Sequence, residues 1–170
     1  MLYGLMDPAP RYSARAFPPY RFVPGKAPHP TRSPDGHSYG RVAAPITIDE
    51  HGWRACEQYL YAIDLFNHGY YWEAHEVMEG MWQGAGRETP IAVFSQALIQ
   101  AAAALLKHAM GELAPASRLG TAAREKLAAS SARVLGVDTR TLAAALEAYL
   151  DGRLARAPTI ELEGAATRDA

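Results

Sequence analysis

A chain of 170 residues with a formal net charge of −1 and 49% apolar residues has the composition of a single soluble domain with its own core. That balance gives no electrostatic case for a nucleic-acid or anionic-membrane partner. The single cysteine, Cys56, excludes an intrachain disulfide and suits a reducing compartment.

The chain opens without the basic start, continuous apolar run and small-residue cleavage site of a secretory signal. Residues 1–44 instead form a proline-rich segment, with Pro8, Pro10, Pro18, Pro19, Pro24, Pro28, Pro30 and Pro34 and no periodic apolar pattern. Prolines at this density fix φ and remove donors, so an extended arm is expected. It is locally basic, with six Arg or Lys against two Asp. Tyr12, Phe17, Tyr20, Phe22, Val23 and Tyr39 punctuate it and offer anchors on a folded surface. A mobile tail is the competing expectation, because proline-rich segments bury little.

From Thr47 the pattern turns helical. Thr47-Ile-Asp-Glu50 has capping-box spacing, and Trp53, Cys56, Leu60 and Ile63 recur at three- and four-residue steps until Gly69. A second helix is expected over 70–83, stopped by Gly84 and Gly86. Thr89-Pro90 caps and opens a third, running to about Gly111. Pro115 opens a fourth, with Leu119, Ala123 and Leu127 on one stripe, ending at Gly136. Asp138 caps a fifth carrying Leu142, Leu146, Tyr149 and Leu150, closed by Gly152. Residues 156–170 read as a loose C-terminal tail. The longest apolar run, 91–106, is interrupted by Ser95, Gln96 and Gln100 and falls short of the ~18 to 20 residues of a membrane span. The expectation is an all-α protein: a bundle of about five helices over 45–155 with short connections and an extended N-terminal arm, cytoplasmic and without a membrane partner.

The second helix carries the unusual residues. On a wheel advancing about 100° per residue, Glu79 lies about 40° from His75 and Trp82 about 20° to its other side. Tyr71, Ala74, Val77, Met78 and Met81 continue an apolar arc, and Trp72 and Glu76 lie on the far border. His75 and Glu79 are therefore placed at the edge of the packing face, where a carboxylate needs a partner. On the third helix Gln96 and Gln100 share a face four residues apart, beside alanines that permit close approach. Antiparallel packing would bring His75, Glu79, Trp82, Gln96 and Gln100 into one polar pocket.

Several chemistries can be weighed on these residues. His75-Glu76-x-x-Glu79 differs from the zinc-peptidase motif in the residue where that motif has its second histidine. Di-iron carboxylate sites need Glu-x-x-His on two helices, and no second copy exists. A mononuclear site of His75, Glu79 and a histidine from elsewhere, His29 or His37 of the arm, has the nitrogen and oxygen mix that a divalent metal accepts. Nucleophilic catalysis has no support, because Cys56 sits on an apolar stripe and no serine lies in an elbow motif. The non-chemical alternative is a satisfied buried network that fixes helix register.

The run LFNHGYYWEAHEVMEGMW followed by FSQALIQAAAALLKH resembles the signature of the bacterial and plastid family called domain of unknown function 309. Asn67, Gly69, Tyr71, Ala74, His75, Glu76, Glu79 and Trp82 match its first motif; Gln96, Leu98, Ile99 and Gln100 match its second, with Ala97 in place of glycine. The likeness is strong over 55–110 and weaker to about 150. The arm, PPYRFVPGKAPHPTRSPDGHSYG, is similar to an extension on a proteobacterial branch of that family. The resemblance implies a helical fold and an intracellular life, but no reaction.

The expected function is accordingly a helical interaction or small-ligand-binding module centred on His75, Glu76, Glu79, Trp82, Gln96 and Gln100. The alternative is a metal-dependent hydrolase with His75 and Glu79 as ligands and Glu76 as base. No cofactor beyond that divalent metal is expected. An apolar stripe left uncovered by five short helices would make the protein a homodimer.

Overall fold

The computed structural model describes residues 9–168. Five α-helices run in chain order: α1 Glu57–Asn67, α2 Tyr71–Gly84, α3 Pro90–Ala109, α4 Leu113–Ala129 and α5 Thr139–Leu150. Each packs against its neighbour in sequence, and α3 lies between α2 and α4 as the central element. Short connections force this antiparallel order, as expected for a bundle. The core joins Tyr59, Ile63 and Phe66 of α1, Ala74, Met78 and Met81 of α2, Phe94, Leu98 and Leu105 of α3, Leu127 of α4 and Leu146 of α5.

Local signals set several boundaries. Thr89 Oγ1 accepts from the Ala92 amide and Pro90 occupies the first turn of α3. Asp138 accepts from the amides of Arg140 and Thr141 at the start of α5. By length and composition α3 could cross a membrane; at 20 residues it is longer than the apolar run read from sequence, and half of its most apolar window is buried inside the bundle.

Three expectations are corrected. The capping box at Thr47 does not form, and α1 begins only at Glu57. Residues 44–46 instead lie along α2, where the Ile46 amide donates to the Gly80 carbonyl at 2.8 Å. The chain then turns through a short 3-10 segment, Trp53–Ala55, that buries the Trp53 ring edge-on to Tyr59. Those tertiary contacts outweigh the local helix signal.

The fourth helix stops at Ala129, and a short hairpin follows, with Arg133–Val134 (β1) paired to Val137–Asp138 (β2). Its turn residues, Leu135 at φ 47° and Gly136 at φ 81°, have the two positive φ values that a tight hairpin turn requires. The Tyr59 hydroxyl donates to the Leu135 carbonyl at 2.7 Å and ties the turn to α1.

The segment expected to be a loose tail also packs. Ile160 and Leu162 are buried, and the Asn67 side chain both donates to the Ile160 carbonyl at 2.9 Å and accepts from its amide at 2.6 Å. Leu162 bridges Val137, and the Arg168 amide donates to the Arg11 carbonyl at 2.8 Å. Two apolar side chains plus an amide clip supply what a loose tail lacks.

Candidate functional site

The described part of the arm, from residue 9 to the start of the bundle, docks on its own α1 and α2. Asp64, wholly buried in α1, accepts from the amides of Tyr12 and Ser13, both at 2.8 Å. Further along, the Tyr61 hydroxyl donates to the Ala16 carbonyl, and Phe22 and His29 both set their rings edge-on to Trp72. The segment 44–46 settles over Gly80 and Gly84, where a Cβ on Gly80 would sit 2.7 Å from the Ala44 carbonyl oxygen. Two glycines one turn apart thus cut a groove that only bare backbone leaves open.

Helix α2 consequently has two covered faces. Ala74, Met78 and Met81 enter the bundle core, whereas Glu73, Gly80 and the flanking Val77 and Gly84 lie under the arm. His75, Glu79 and Trp82 occupy the remaining edge. The wheel placed them beside the packing face correctly, but they are only half covered, and Trp82 is 40% exposed.

His75, Glu76 and Glu79 converge there. His75 Nε2 lies 3.4 Å from Glu79 Oε1, and its Nδ1 lies 3.6 Å from Glu76 Oε1. The three offer ligand atoms that all fall within 4.8 Å of one another. His75 Nδ1 is buried and has no hydrogen-bond partner among the described residues. One imidazole and two carboxylates fit the donor preferences of a divalent transition metal.

The rest of the expected site is arranged otherwise. Gln96 and Gln100 are half-buried on α3, and among the described residues no hydrogen bond links them to His75 or Glu79; Gln100 Oε1 is buried without a partner. His29 and His37 do not join His75, and this is a correction. His37 Nε2 sits 3.2 Å from Glu73 Oε1, while His29 is held between Phe22 and Trp72. Glu73 lies about 160° around the helix from His75, so an arm seated on it faces away from the imidazole. Glu76, read as a base, lies between the two faces and contributes to the cluster itself.

Two acids escaped the sequence reading. Asp64 anchors the arm, and Glu73 forms the floor of a cleft of about 640 Å³ between the arm and helices α1 and α2. Glu73 is 5% exposed. Its Oε1 accepts from the Phe22 amide at 2.8 Å, and its Oε2 is buried with no partner among the described residues. Sequence offered only a faint signal, since both acids interrupt otherwise apolar helical stripes.

Burial shifts other groups nearby. His68, beside Phe17 of the arm, is pushed below the usual histidine range by burial first and by the Arg11 charge second. Tyr71 is raised to about 12, chiefly by burial.

Fold and site define the chain as a small, mostly helical module with a docked N-terminal arm. Residues 59–119 match the family model of the domain of unknown function DUF309, which bears out the resemblance over that stretch. The match runs from α1 into α4 and contains His75, Glu79 and Trp82; the arm lies outside it. No curated protein and no solved structure matches the chain.

Proposed function

We propose that this helical module binds a divalent cation on the exposed edge of α2, with His75, Glu76 and Glu79 as its ligands. The observation that carries the reading is the convergence of one imidazole and two carboxylates within 4.8 Å on a half-covered surface. The buried, unpartnered Nδ1 of His75 supports it, since a polar atom in that state costs about 1–3 kcal/mol unless something engages it. Trp82, one turn beyond Glu79, gives the same edge an apolar contact for whatever approaches the ion. The hydrolase alternative is weaker, because Glu76, its general base, is needed among the ligands.

Metal content tests the reading directly. Protein prepared without a histidine tag, dialysed against Zn²⁺ or Mn²⁺ and analysed for metals, is expected to retain one ion per chain. His75→Ala should lose it while keeping the helical circular dichroism of the parent. Equal metal in parent and variant would defeat the proposal.

A further inference from the structure

The cleft beneath the arm is a second site on a different face of α2, and its argument does not rest on the cation reading. It is lined by Glu73, nine-tenths buried, with one oxygen satisfied by the Phe22 amide and by His37 and the other, among the described residues, without a donor. Among the described residues no Arg or Lys pairs with Glu73, although Arg15 and the exposed Arg41 line the same cleft. Arg15 is otherwise engaged, its guanidinium lying 4.4 Å above the Tyr61 ring.

The walls are mixed, with Leu65, Val77, Pro45 and Ile46 beside Thr31, Ser38 and Gln58. A volume of about 640 Å³ falls within the range of small-molecule sites, which pair apolar walls with a few fixed polar groups. Glu76 also borders this cleft, but among the described residues it does not converge with Glu73 and His37 into a set of metal ligands. What the site lacks is an N–H donor attached to an apolar body.

We propose that this cleft binds a small organic cation, an amine or amidine, whose N–H groups hydrogen-bond Glu73 while its hydrocarbon part lies between the arm and α2. A charge-assisted hydrogen bond to a buried carboxylate is stronger than a neutral one. The arm is then one wall of a binding site, which explains why it is fixed at both Asp64 and Glu73 rather than left free.

Benzamidine is a suitable probe for titration of the full chain by amide NMR. Saturable shifts are expected at Glu73, Val77 and the facing arm residues 16 and 44, with none from benzoate at equal concentration. Glu73→Gln keeps an acceptor for the Phe22 amide but removes the charge, and should weaken binding at least tenfold. Should that variant release the arm, Val77→Phe narrows the cleft without touching the Glu73 hydrogen bonds and should abolish the shifts. His75→Ala should leave them intact, separating this site from the cation site. Absence of saturable benzamidine binding, equal shifts from benzoate, or full affinity in Val77→Phe would each overturn the proposal.

Discussion

Arg11 places its Nε 3.2 Å from Asp64 Oδ2 and so joins the N-terminal arm to α1 across 53 residues of sequence. The same carboxylate accepts two backbone amides and has no exposed surface. It is the point at which an extended, proline-rich segment becomes part of a folded protein. Ordering such a segment costs about 1–2 kcal/mol per residue in backbone entropy, so it needs fixed, buried partners.

Replacing Asp64 with alanine should therefore strand two amides and remove the carboxylate partner of Arg11. The expected loss is about 3 kcal/mol in urea unfolding, with new protease cleavage within residues 9–20. Unchanged stability and an uncut arm would show that the carboxylate does not hold it.

Gly84→Ala provides a test with opposite signs. On a bare helix, alanine would stabilise by about 0.5–1 kcal/mol. Here its Cβ would collide with the Ile46 backbone, so a loss of about 1–3 kcal/mol and a loosened 43–47 segment are expected. A gain in melting temperature would mean that residues 43–47 do not lie on α2.

Asn67 acts as a side-chain imitation of a β-bridge to Ile160. Asn67→Asp keeps the acceptor but loses the donor and faces a carbonyl with a carboxylate. Amide exchange over residues 157–165 should accelerate at least tenfold, while exchange in α3 changes little. Equal rates in parent and variant would assign the tail's order to Ile160 and Leu162 alone.

His68 links the arm to pH. Its folded-state pKa is lowered, so the native protein binds the proton less readily than the unfolded chain. The associated stability is present above the unfolded value of about 6.5 and is lost as pH falls through the lower folded value. NMR titration of the ring should report a midpoint below about 6.5, and Phe17→Ala, by uncovering the ring, should move it upward. A normal midpoint in the parent would contradict the burial of this ring.

Helices α3 and α5 were readable because their signals are local: Thr89-Pro90 and Asp138 cap the residues immediately after them, whatever the rest of the chain does. The motif helix was also legible, and its wheel put His75 and Glu79 at an edge of the packing face. The wheel did not show that the arm covers the side bearing Glu73, Gly80 and Gly84. That omission left the arm histidines as candidate partners for His75, whereas His37 sits against Glu73.

The sequence by itself determined the helical class, the order of the bundle and the family motif, because periodicity, capping and residue spacing act within a few residues. Only the tertiary structure decided where the arm lies, where α1 begins, and which acids are buried. Those outcomes depend on contacts such as Tyr12 with Asp64 and Phe22 with Glu73, each made across some fifty residues. Such contacts form when surfaces meet, and no local pattern encodes which surfaces those will be.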